Sequence, residues 1–129
     1  MQGYLWYVKN PGAEYTAEQL LSAAKSVPGN LVLLDCSDVP EGAFLEKLLA
    51  LADRVYLVTD PLPTKLLEGR ERIMHLQALR PDLRILVNKY NRGVHGGELT
   101  RFLGTGNYLV QEMLPPERIY RAEYRSELP

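Results

Sequence analysis

Apolar residues come along this chain in short bursts separated by turn-forming residues, and the bursts alternate between two spacings. Leu31-Val32-Leu33-Leu34 is a continuous apolar run between Pro28-Gly29 and Ser37-Asp38-Val39-Pro40. Such a run predicts a short strand buried on both faces, of the kind that parallel sheets carry at their centre. Tyr4-Leu5-Trp6-Tyr7-Val8 is aromatic and ends in a β-branched residue, which predicts another strand, broken at Asn10-Pro11-Gly12. Arg54 to Thr59 and Leu83 to Val87 predict two more, and Tyr108 to Met113 a weaker fifth, diluted by Gln111 and Glu112.

Between these runs the spacing changes to that of helices. Thr16 followed by Gln19 is a capping box, which satisfies free backbone N–H groups at a helix start. Ala17, Leu20, Leu21 and Ala24 then form one stripe, and Pro28-Gly29 ends it. Glu41 to Ala52 predicts a second helix, with Leu45, Leu48, Leu49 and Ala52 facing inward. Thr64 is the expected cap of a long third helix, buried through Leu66, Ile73, Leu76 and Leu79 and closed before Pro81. Gly93 to Gly97 reads as a flexible loop. A short helix around Leu99, Phe102 and Leu103 follows and stops at Gly104. Ile119 to Leu128 is polar and leaves its conformation open.

Strands that alternate with helices at this spacing predict an α/β fold. The expectation is one domain over residues 1–129, in three layers, with a mostly parallel sheet of about five strands and helices on both faces. Crossovers should be right-handed. Composition narrows the classes without changing the picture. At 46% hydrophobic and 24% charged, the 129 residues are typical of a globular protein with a real core. A net charge of -1 gives no basic patch for nucleic acid. No apolar run approaches the ~20 residues that span a bilayer, and Met1 to Tyr4 lack the features of a signal peptide. A single cysteine, Cys36, cannot form an internal disulfide, so a reducing, cytoplasmic compartment is expected. Cys36 itself reads as a small buried hydrophobe rather than a nucleophile.

Open parallel sheets bind ligands beyond the carboxyl ends of their strands. The residues there are Asp35 and Asp38, Thr59 and Asp60, Asn88, Lys89 and Asn91, then Pro115, Pro116 and Glu117. An acid after one strand suits magnesium through water. An asparagine after another suits a purine edge, because its amide both donates and accepts. The plainer readings stay open: Asp35 can simply cap a turn, and every parallel sheet has polar loops at this edge.

The ordered blocks Leu31 to Asp35, Leu51 to Pro61, Ile85 to Lys89 and Leu114 to Glu117 resemble the MinD/ParA family of P-loop ATPases. Ala52-Asp53-Arg54-Val55-Tyr56-Leu57-Val58-Thr59-Asp60-Pro61, with a helix following, resembles a conserved block of that family. The segment from Leu114 to Pro129 resembles the one after its last nucleotide-contacting strand. The pilus-assembly branch, of CpaE and TadZ type, is the nearest in character. The resemblance covers most of the chain from about residue 31 onward. It implies a partial P-loop NTPase fold, with ATP and Mg as cofactors of the intact fold. Asp35 would be the Walker B aspartate, near magnesium through water. Asn88 would meet the adenine edge, with Pro115, Pro116 and Glu117 in the loop bordering the base. Asp38 falls in the family's variable loop after Walker B, and the resemblance gives Lys89 no role.

The chain departs from the family at the phosphates. The glycine-rich loop with a lysine and a Ser/Thr is missing, and the only glycine pair, Gly96-Gly97, runs into Glu98 and Leu99. Without that loop there is no nest of N–H groups and no lysine for the γ-phosphate. The expectation is therefore the distal half of a MinD-type domain acting in intracellular positioning, partitioning or assembly. Alone it should be inactive and bind no cofactor. It should self-associate, most simply as a dimer through a sheet edge or the flanking helix face, with a partner protein and peripheral recruitment left open. The alternative is a non-enzymatic, degenerate ATPase-like interaction module. A receiver domain fits poorly, because Lys9-Asn10-Pro11 stands where an acidic pair is needed and Tyr90, not proline, follows Lys89.

Overall fold

Tyr56–Thr59 (β1), Arg84–Tyr90 (β2) and Tyr108–Glu112 (β3) form a three-stranded sheet in the order β1-β2-β3, parallel throughout. The computed structural model describes residues 15–29 and 31–125. These fall into two compact units, divided between Leu51 and Ala52.

The first unit contains α1 (Ala17–Ser26) and α2 (Ala43–Leu51). The capping box at α1 is present in full. Thr16 Oγ1 accepts from the Gln19 N–H at 3.2 Å, and Gln19 Oε1 accepts from the Thr16 N–H at 2.9 Å. Leu45, Leu48 and Leu49 are buried on α2 and Ala17 on α1, as their spacing predicts. Lys47 of α2 meets Glu18 of α1 at 2.8 Å on the surface.

Leu31 to Leu34 is the main departure from expectation. It is not a strand: no regular structure is assigned to it, and among the described residues no strand pairs with it. Leu31 is 77% and Leu33 78% exposed on one side, and Val32 42% and Leu34 38% on the other, so neither face is buried. The physical reason is that a strand is not a local structure. An apolar run supplies the side chains for a sheet interior, but the backbone needs a neighbour to bond. The expected strand Tyr4 to Val8, and its break at Asn10-Pro11-Gly12, lie outside the described residues.

The second unit contains the sheet, α3 (Pro63–Leu79), α4 (Gly96–Leu103) and α5 (Pro116–Arg125). Leu66 and Ile73 of α3, Ile85 and Val87 of β2, and Leu99 and Leu103 of α4 make one buried cluster. Ile85 and Val87 are two apart and so point to the same face. Both crossover helices therefore cover one face of this sheet, not two. Topology explains it: a chain that steps β1, β2, β3 in one direction sends each right-handed crossover to the same side. Of the about five strands expected, three are in this unit, and its two crossover helices lie on one face of the sheet.

Several boundaries shift for local reasons. Helix α3 starts at Pro63 with Leu62 as its cap, not at Thr64. Proline suits the first helical position, since its missing N–H would have no partner there. Gly96 and Gly97 open α4 instead of closing a loop, and Gly104 ends it at φ 70° in the left-handed region, as expected. The open segment after Ile119 is helical to Arg125, within α5. Arg80 holds the turn after α3. Its guanidinium grips Asp82 through two bonds of 2.8 and 2.9 Å and donates to the Ala52 carbonyl at 3.0 Å.

Candidate functional site

The C-terminal edge of the sheet is built around an irregularity in β2. Val87 pairs with Val110 and Tyr90 with Glu112, so β2 carries one more residue than β3 over that step. The extra residue makes a bulge, a device that re-aims a side chain. Lys89 absorbs it at φ 56°, the one non-glycine positive φ among the described residues. That region costs an L-residue roughly 1–2 kcal/mol, so the surroundings must hold it.

Two asparagines do so. Asn88 Oδ1 accepts from the Lys89 N–H at 2.9 Å, and Asn91 Nδ2 donates to the Lys89 carbonyl at 3.2 Å. Asn91 Oδ1 in turn accepts from the Gly93 N–H at 2.9 Å. The sequence Asn88-Lys89-Tyr90-Asn91 is thus a self-bracing turn. The turned backbone sends the Lys89 ammonium to Asp60, just past β1, at 3.3 Å. Lys89 is 63% exposed at its side chain and Asp60 24%. An exposed pair of this kind contributes about 0–1 kcal/mol, so it orients Lys89 more than it stabilises the fold.

Beneath the pair lies a cavity of about 410 Å³, within the ordinary range for small-molecule sites. Leu62, Leu66, Val94, Leu99, Phe102 and Met113 give it an apolar floor, and Asp60, Lys89, Asn91, His95 and Glu98 give it a polar rim. The N-terminal ends of α3 and α4 both border it, through Pro63 and through His95.

The predicted residues divide between this place and others. Lys89, without an assigned role in the sequence, is at its centre, with Asp60 and Asn91. Asn88 stands behind it as a brace, half-buried, and does not line the cavity. Pro115, Pro116 and Glu117 start α5, where the Pro115 carbonyl accepts from the Arg118 N–H at 2.9 Å. They do not line the cavity either. His95 and Glu98 escaped the sequence reading. The signal for them was the helix start at Gly96-Gly97, which places both at the strand-end edge.

Asp35 and Asp38 belong to the first unit. Asp35 Oδ1 accepts from the Ser37 N–H at 3.0 Å and from the Ser37 hydroxyl. These bonds, the hydroxyl first, hold its carboxyl below the usual aspartate range. This is the turn-capping role, and it leaves one oxygen of Asp35 outside the turn. Magnesium bound through a single carboxylate needs phosphate oxygens as well. Among the described residues no group of three or more His, Cys, Asp or Glu side chains could hold a metal. Cys36 is half-buried, and that burial, with the Asp35 charge, raises its thiol pKa, which suits the inert reading.

No family model, curated protein or solved structure matches the chain. Among the described residues, no helix is long and apolar enough to cross a membrane.

Proposed function

We propose that the chain is the distal, base-side part of a MinD/ParA-like ATPase domain, of a protein acting in intracellular positioning, partitioning or assembly, and that it has no ATPase activity alone. The observation that carries this reading is the cavity at the C-terminal edge of a parallel sheet, walled by Asp60 after β1, Lys89 and Asn91 at the end of β2, and Met113 after β3. Its apolar floor and amide-bearing rim suit a flat base better than a phosphate chain. The sequence provides no glycine-rich loop to hold phosphates, and phosphoryl transfer depends almost wholly on such positioning. Asp35 would supply the Walker B carboxylate and Asn88 would steady the base-side turn through Lys89, with Pro115 to Glu117 alongside.

Base contacts alone are weak. A neutral hydrogen bond contributes about 0.5–1.5 kcal/mol net, whereas a 1 mM complex needs about 4 kcal/mol. ATP and Mg are therefore cofactors of an intact site and not of this chain alone. The direct test is phosphate release from ATP and Mg, with an Asp35→Ala control. The expected result is no difference between the two. Turnover above that control would refute the proposal.

A second reading, a degenerate ATPase-like module that binds itself or a partner protein, has its own support. Val58 and Leu109, which flank Leu86 across the sheet, are at least half exposed, and contiguous apolar surface marks interaction sites. The two readings agree on self-association and differ on whether the cavity meets a base.

A further inference from the structure

We propose that Asp60 and Lys89 read the edge of the base: Asp60 accepts from the exocyclic amine of adenine while Lys89 donates to the ring nitrogen beside it. The assignment rests on the base-side reading above and names the two side chains that give that site its specificity.

Reading a base edge takes a donor and an acceptor held side by side. The amide of Asn88 has both, but its Oδ1 accepts from the Lys89 N–H at 2.9 Å and the residue does not line the cavity. Asn91 reaches the rim, yet its Oδ1 accepts from the Gly93 N–H and its Nδ2 donates to the Lys89 carbonyl. Both amides are engaged in holding the turn. Asp60 and Lys89 both line the cavity, with Oδ2 of one 3.3 Å from Nζ of the other. Asp60 Oδ1 accepts from the Leu62 N–H at 3.1 Å, at the start of α3, which fixes the plane of the carboxylate. An ammonium has three N–H groups and each carboxylate oxygen two lone pairs. The ion pair engages one of each, so a donor and an acceptor remain next to one another, close enough for one flat edge to meet both.

The backbone shows that this placement is built. The bulge in β2 puts Lys89 at φ 56°, a costly conformation for a residue with a Cβ, and two asparagine side chains hold it there. The exposed pair with Asp60 returns little stability for that strain. Strain kept at the rim of a cavity marks a side chain aimed at a ligand.

The chemistry selects one type of edge. Adenine offers an amine beside a ring nitrogen with a free lone pair, which matches Asp60 and Lys89 in turn. Hypoxanthine inverts both positions: its oxygen would face the carboxylate and its ring N–H the ammonium. A site built to pair with polar groups rejects analogues that leave them unmatched.

The test sets base analogues against two variants by ¹⁵N–¹H NMR. In the wild-type chain, adenosine should shift the amides of Lys89 to His95. Inosine, 1-deazaadenosine, which lacks the ring nitrogen, and N6,N6-dimethyladenosine, which lacks the amine hydrogens, should each give an initial slope of shift against concentration about three- to tenfold lower, the worth of one hydrogen bond. Lys89→Met should abolish the difference between adenosine and 1-deazaadenosine and keep the one against the dimethyl compound. Asp60→Asn, which retains an oxygen for the Leu62 N–H, should do the reverse. The wild-type series needs no substitution and decides alone if a variant loses its native spectrum. Analogues equal to adenosine in the wild-type chain overturn the assignment, as do folded variants that leave both differences intact. Cavity shifts without discrimination overturn the assignment and leave the base-side reading standing. Adenosine that shifts no residue of the cavity overturns both.

Discussion

Lys89 is where local preference and tertiary structure disagree. Its φ of 56° belongs to glycine, yet it carries the one long cation at the cavity rim. Lys89→Gly should therefore be more stable than Lys89→Ala, by about 1 kcal/mol, the reverse of the usual order in a strand. Urea denaturation of the two variants measures this, and equal or lower stability for the glycine variant would mean that the bulge is not strained. Asp82 provides a second check at this scale. The Arg80 guanidinium beside it holds its carboxyl below the usual aspartate range, and the partner's pKa is raised in turn. A depressed folded pKa contributes stability above the unfolded pKa, and that contribution is lost as pH falls through the folded value. Carbon-detected NMR titration should show Asp82 ionising below an ordinary aspartate, and moving back up in Arg80→Gln.

At the scale of elements, burial separates the two apolar signals that look alike in sequence. Leu66 is 2% and Leu99 2% exposed in the core between α3, α4 and β2. Either Leu→Ala change should cost about 2–5 kcal/mol. Leu31→Ala and Leu33→Ala, at 77% and 78% exposure, should each stay within about 0.5 kcal/mol. A large loss at Leu31 would show that this segment is packed after all. The same contrast explains what the sequence could disclose. The helices α1 to α4 were legible because cap, stripe and stop signals are local: Thr16 with Gln19, Leu66 with Ile73, Gly104 after Leu103. The strands β1, β2 and β3 were legible because helices separate them. Leu31 to Leu34 misled because its apolar residues say nothing about a backbone partner. The single covered sheet face could be read only once the strand order was known. At the site, the strand-end residues Asp60, Lys89 and Asn91 stood out in the sequence. The bulge that brings Lys89 to Asp60 did not, since it depends on the register between β2 and β3.

For the molecule as a whole, the account joins a base-side cavity to the lack of any phosphate-holding loop. The two together make a sharper claim than either alone: the triphosphate should add nothing to binding. Adenosine and ATP with Mg, titrated in turn to tens of mM and followed by ¹⁵N–¹H NMR, test this most directly. The predicted result is weak, unsaturated shifts confined to Lys89 to His95 and neighbouring residues of the cavity, with ATP no tighter than adenosine. Tight ATP binding, or shifts for adenosine that avoid the cavity, would contradict it.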